Sequence, residues 1–218
     1  MLNLIKLVME KLLSTKEEDS AKQLGVVVFD FTDEEFKNLK IHRDMSSDND
    51  TNYLLGSNKM GNYLKADSKN AASGLGKKIN VDLNRTPFIN FNWKIEKGLE
   101  GLNEQEKEGH DFAARLFVVK KTGFTIFSNR VINYVYSSNR NIGETWSSPF
   151  TKRSINVVVS TTTEIKNEWV TVKRNVKDDF KKIHNLDVDS LDGIAIMVDT
   201  NDSGREAVSY YQNIYFSA

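Results

Sequence analysis

From Ile89 to Ile95 the chain reads INFNWKI, with an apolar side chain at every second position. A period of two puts Ile89, Phe91, Trp93 and Ile95 on one side of an extended strand and Asn90, Asn92 and Lys94 on the other. A helix would scatter the same residues around its circumference. The pattern therefore calls for a sheet with one face buried against a second layer. Similar β-branched and aromatic runs recur, and they predict strands over 26–31, 52–56, 61–67, 77–82, 87–95, 112–120, 131–137, 155–160, 168–173, 193–198 and 208–216. Clusters of Gly, Asn, Asp and Ser separate them at hairpin-like distances, with few helical crossovers. Pro87 and Pro149 stand at segment edges, where a missing N–H does little harm. The expectation is an all-β fold, an antiparallel β-sandwich.

Two short helices interrupt the strands. One is DEEFKNL, residues 33–39; the other is VKDDFKKI, residues 176–183, where Val176, Phe180 and Ile183 share an apolar face. Residues 97–110 are charged and glycine-punctuated and read as an exposed loop. The opening MLNLIKLVMEKLLS places Leu2, Ile5, Met9, Leu12 and Leu13 at helical spacing, broken by Lys6, Glu10 and Lys11. It predicts an amphipathic helix that is too short and too charged to span a bilayer, with no secretory cleavage site after it. The expected organisation is this helix and a charged linker over 1–24, then one sandwich domain over 25–218.

Thirty basic residues balance thirty acidic ones and no basic block occurs, which speaks against nucleic acid as a partner. The absence of cysteine excludes disulfides, thiolate metal sites and cysteine nucleophiles. His42, His110 and His184 form no zinc-spaced pair, and no nucleophile elbow, phosphate loop or dinucleotide fingerprint occurs. His110, beside Asp111, has the neighbour a catalytic base would need but reads as a surface histidine. Asp178 and Asp179, a pair of the kind acid–base chemistry uses, read as acids that favour a helix start.

Binding chemistry is easier to place. In VSYYQNIYF, alternation puts Tyr211, Asn213 and Tyr215 on one face with Ser209, mixing rings with hydrogen-bonding groups in a way that suits sugars. In FAARLFVV, Arg115 shares a face with Ala113, Phe117 and Val119, and it needs a carboxylate partner, with Asp111, Asp178, Asp179 and Asp199 as candidates. Tyr134 and Tyr136 share a strand face. Trp146 lies in a loop-like stretch and reads as a ligand contact, whereas Trp93 and Trp169 read as core. In DTNDSG, Asp199, Asn201 and Ser203 alternate before Gly204, with Asp202 between them. This resembles the opening of a calcium loop, but Tyr210 stands where the closing glutamate belongs, so it is no EF-hand.

The ordered set AASGL (71–75), PFINFNWKI (87–95), GHDFAARLFVV (109–119), INYVYSS (132–138), VKRNVKDDF (172–180), GIAIMVDTNDSG (193–204) and AVSYYQNIYF (207–216) resembles the family called domain of unknown function 3047. The resemblance spans about residues 25–218. It implies a jelly-roll sandwich of the carbohydrate-binding type, on exported proteins of the periplasm or cell exterior, with no established activity. Its motif positions here are Asp111, Arg115, Tyr134, Arg174, Asp178 or Asp179, Asp199, Asn201, Asp202, Tyr210 and Tyr211. His110 stands where the family favours an acid, Tyr136 where it favours Trp, and Gln212 near where it favours Gly.

The expected function is a non-catalytic module that binds carbohydrate or a similar polar ligand through Arg115, Tyr134, Trp146, Arg174, Tyr211, Asn213 and Tyr215. Calcium at Asp199, Asn201, Asp202 and Ser203 would assist it. The alternatives are a self-assembling subunit, joined through the N-terminal helix or an edge strand, and a carboxylate-based hydrolase.

Overall fold

Described in the computed structural model are residues 25–43, 47–123, 128–162 and 167–218. The amphipathic helix expected near the N-terminus lies outside the described residues. The strands are β1 (Val26–Phe29), β2 (Lys40–Arg43), β3 (Asn52–Asn58), β4 (Gly61–Lys69), β5 (Ala72–Asp82), β6 (Phe88–Lys97), β7 (Phe112–Lys120), β8 (Arg130–Ser137), β9 (Thr145–Ser148), β10 (Thr151–Thr161), β11 (Val170–Asn175), β12 (Ser190–Asp199) and β13 (Glu206–Ser217). Two helices join them, α1 (Asp33–Asn38) and α2 (Val176–His184). One sheet has the order β11-β6-β13-β4-β3, with β1 also pairing with β13; the other runs β2-β5-β12-β7-β8-β10-β9. The expected sandwich is what forms.

Pairing is antiparallel except between β8 and β10, which run parallel. The chain leaves β8, forms the sheet edge as β9, and returns as β10 between the two.

Strand β6 does what its alternation requires. Ile89, Phe91 and Trp93 are fully buried, the Trp93 ring meets Phe91 edge-on at 4.9 Å, and its indole N–H donates to Ser160. Across the interior Leu116, Val118, Ile132, Tyr134, Ile194, Ile196 and Val198 face it from the seven-stranded sheet. Each such side chain contributes about 1.5–3 kcal/mol by leaving water. Helix α2 closes one side: Asn175 caps it by accepting the Asp178 N–H, Asn185 ends it in the left-handed region, and Val176 and Phe180 are buried.

Several details differ from the sequence reading. Strands β2 and β9, four residues each, were too short to show a period. Strand β5 starts at Ala72 rather than 77, because its first half is small residues. At Gly74 a Cβ would meet the Ile196 carbonyl oxygen at 2.7 Å, so close pairing with β12 there uses glycine. The stretch 97–110, expected as an exposed loop, is exposed only in part: Leu99 and Leu102 pack on the core, and Glu104 and His110 are buried. Trp169 is half-exposed rather than core and sits against Tyr63 and Tyr210.

The largest correction concerns β13. Asn213 adopts a φ of 54°, and the register with β6 slips between Gln212 and Tyr215. This bulge reverses the parity of the strand. Tyr211 therefore points into the core and is fully buried, while Tyr215 faces out at 38% exposure. The two tyrosines do not share a face.

Candidate functional site

Along β7, Ala114, Leu116 and Val118 face the core, so Arg115 and Phe117 stand on the outer side of the seven-stranded sheet. Arg115 is nevertheless buried, at 5% exposure. Register places it opposite Met197 on β12, two residues from Asp199. Its Nη2 donates to Asp199 Oδ2 and, at 2.7 Å, to the His110 carbonyl. The Phe112 N–H donates to the other Asp199 oxygen at 3.0 Å. The guanidinium also lies 4.4 Å from the Phe112 ring centroid, which fixes its plane. Of the four carboxylates considered from sequence, Asp199 is the partner.

His110 sits over this pair, with Nδ1 3.4 Å from Arg115 Nη2 and Nε2 3.2 Å from the Asn156 amide. It is buried, not a surface histidine. Burial, reinforced by Arg115, pushes it down to about 2, so it is neutral across the physiological range. Burial, helped by Asp111 and Asp202, raises the Asp199 carboxyl, while Arg115 and the Phe112 N–H, which bond its two oxygens, favour the carboxylate.

A cleft of about 450 Å³ opens beside these groups. Phe117 and Met197 give it apolar surface, and Ser148, Thr151 and Ser154 bring hydroxyls. Phe150 stands at its rim, 57% exposed, its ring 5.5 Å from His110. Asp199, Asn201 and Asp202 line the same cleft.

The turn that follows β12 is held from below. The Asp111 carboxylate accepts the N–H groups of Asp202 and Ser203 and the Ser203 hydroxyl. Thr200 is buried and ties the turn to Ser68 and Ala71, and Gly204 closes it at a φ of 66°. Asp199 and Ser203 are thus engaged with protein partners. Among the described residues no group of three or more His, Asp or Glu side chains is arranged to hold a metal ion.

A second cleft, also about 450 Å³, lies at the sheet edge between β9, β10 and α2. Trp146 and Arg174 meet there. Arg174 forks onto Asp179, with Nε 3.0 Å and Nη2 2.5 Å from its two oxygens, and the Tyr134 hydroxyl donates to the same carboxylate at 2.7 Å. Tyr134 is fully buried, so it supports the cleft without lining it. Trp146 is half-buried on β9 rather than in a loop, and its indole N–H donates to the Glu104 carbonyl.

The remaining expected contacts lie elsewhere. The Tyr211 hydroxyl accepts the Arg115 N–H and donates to the Met197 carbonyl, stitching the sheets from inside. Asn213 and Tyr215 line a shallow groove beside β1 with Val27 and Asn62. Sequence reasoning missed His110, Phe150 and Lys182. Only Phe150 carried a signal, as a large apolar residue directly after Pro149 in a turn.

Solved structures with a similar chain path include the family 30 carbohydrate-binding module of a cellulosomal cellulase of Clostridium thermocellum, 9% identical over 83% of this chain and 91% of that one, with a TM-score of 0.48. The xyloglucanase domain of a type three effector from Sinorhizobium fredii, in complex with cellobiose, is 10% identical over 82% and 93%, at a TM-score of 0.45. A cellulase derived from that of Rhodothermus marinus is 8% identical over 81% and 96%, at 0.47. No curated protein matches the chain. The model of the family described as protein of unknown function DUF3047 matches residues 40–215, most of the sandwich, and the chain belongs to that family.

Proposed function

We propose that the chain is a non-catalytic binding module whose cleft on the outer face of the seven-stranded sheet takes a neutral carbohydrate or a similar polyhydroxylated ligand. The observation that carries this reading is the exposed Phe150 ring at the rim of a cleft lined by Ser148, Thr151 and Ser154. An aromatic rim suits the apolar C–H face of a sugar, and short hydroxyls pair with its hydroxyl groups. Asp202 adds an acceptor to the lining, and the neutral His110 adds no charge. Arg115 holds Asp199, so the buried acid is committed to an ion pair rather than free for acid–base work.

Calorimetric titration against a panel of neutral oligosaccharides tests the proposal, with Phe150→Ala expected to weaken binding at least tenfold. No binding by the wild type, or equal binding by the variant, rejects it. Calcium at Asp199, Asn201, Asp202 and Ser203 is a separable part of the proposal. Equal affinity in calcium and in chelator removes that part alone.

A second reading, self-association, is favoured by β1, where Val26 and Val27 are 44% and 66% exposed on a strand with one paired neighbour. Sedimentation of the wild type and Val27→Lys decides it: a monomer in both cases rejects it.

A further inference from the structure

The second cleft differs from the first in charge. Arg174 and Lys182 line it, and Asp179 is its one acidic lining residue. Both Asp179 oxygens are already taken, by Arg174 and by the Tyr134 hydroxyl. A guanidinium carries five N–H donors; two of Arg174's go to Asp179 and the Tyr134 hydroxyl engages it as well, leaving the rest for a ligand. The Arg174 side chain is 37% exposed, so those donors have access to the cleft, while Asp179 at 8% and Tyr134 at 0% fix it from behind. Lys182 is exposed on α2 and has no acidic partner among the described residues. The cleft thus carries an excess of one positive charge. Its other walls are Trp146, Ile155 and Ile183, which are apolar, with Thr145 and Ser147 hydroxyls beside them.

We propose that this second cleft binds an acidic sugar unit, a hexuronate, independently of the first. The fork of Arg174 and the point charge of Lys182 would take the carboxylate. The apolar wall would cover the C–H face of the ring, and Thr145 and Ser147 would meet its hydroxyls. A bare inorganic anion would leave the apolar wall unused, and a neutral sugar would leave the positive charge unmatched.

The test is calorimetry on the full chain with glucuronate oligomers, neutral glucose oligomers of equal length, and inorganic phosphate. The expected result is that the wild type binds the glucuronate oligomer, that Lys182→Gln weakens it about tenfold, the effect of losing one charged contact of about 1.4 kcal/mol, and that 0.5 M salt weakens it about as much. Lys182 is exposed, so this variant leaves folding intact, unlike a change at Arg174, which would strand Asp179. Phe150→Ala, in the first cleft, should leave glucuronate binding unchanged. The proposal is overturned if the glucuronate oligomer does not bind, if Lys182→Gln binds it as well as the wild type, or if phosphate binds as tightly. Loss of glucuronate binding in Phe150→Ala also overturns it, by merging the two sites. Loss of neutral-sugar binding alone would leave it standing and count only against the first cleft.

Discussion

The two clefts are alike in volume and differ in how each holds its arginine. In the first, the Arg115 and Asp199 side chains are 7% and 5% exposed, and the pair is shut away from water. In the second, Asp179 is 8% exposed but Arg174 keeps 37% of its side chain open. A closed pair is a structural commitment that shapes a site without offering charge to it. A half-open pair keeps donors for a ligand. The difference teaches that a buried ion pair beneath a cleft and a charged lining are separate features, and that the balance of cations and acids separates the two candidate ligand classes.

Removing one partner from each pair sharpens the contrast most. Asp199→Ala leaves a buried guanidinium uncompensated and should cost about 3–5 kcal/mol of folding stability. Asp179→Ala should cost clearly less, because Arg174 can turn to water; denaturant titration of both variants would break the comparison if the order reversed. In the first cleft acid acts through His110 against the raised Asp199 carboxyl, which works the other way, so His110 is isolated by its own variant. His110 binds no proton in the folded state until about pH 2, whereas an unfolded histidine binds one below about 6.5. At His110 the unfolded state therefore holds more protons throughout that window, and the stability contributed by its neutral form is lost as pH falls from 6.5, by about 2 kcal/mol at pH 5. His110→Asn should flatten this slope between pH 7.5 and 5, and an unchanged slope would place the acid sensitivity elsewhere. In the second cleft, Tyr134→Phe removes one donor to Asp179 and should cost about 1 kcal/mol. Lys182→Gln should change stability by less than about 0.5 kcal/mol, since the residue is exposed and makes no ion pair among the described residues. A larger loss would mean that Lys182 serves the fold rather than a ligand.

The sandwich was legible because β6 and β12 carry near-strict alternation, and burial largely follows it. The Arg115–Asp199 pair was legible in part, since a charge within an apolar strand demands a partner. What escaped reading were breaks in periodicity and long-range packing. The Asn213 bulge put Tyr211 and Tyr215 on opposite faces, and asparagine's tolerance of positive φ does not by itself place a bulge at that position. The polar stretch 97–110 looked solvated throughout because its anchors act at a distance. Glu104, whose burial pushes its carboxyl up, accepts bonds from Ser137 and Ser138, more than thirty positions along the chain. Trp146 and Arg174 meet only because β9 edges the sheet beside α2, a topology that spacing alone does not contain.

The central claim is that a neutral saccharide sits on the outer face of the seven-stranded sheet, under Phe150. Titrating the isotope-labelled protein with the oligosaccharide it binds, and following backbone amide resonances, tests this directly. The account predicts shifts concentrated at residues 148–154 and 197–202, with the groove beside Tyr215 unmoved. Saturable binding that shifts only amides of the six-stranded sheet would contradict it.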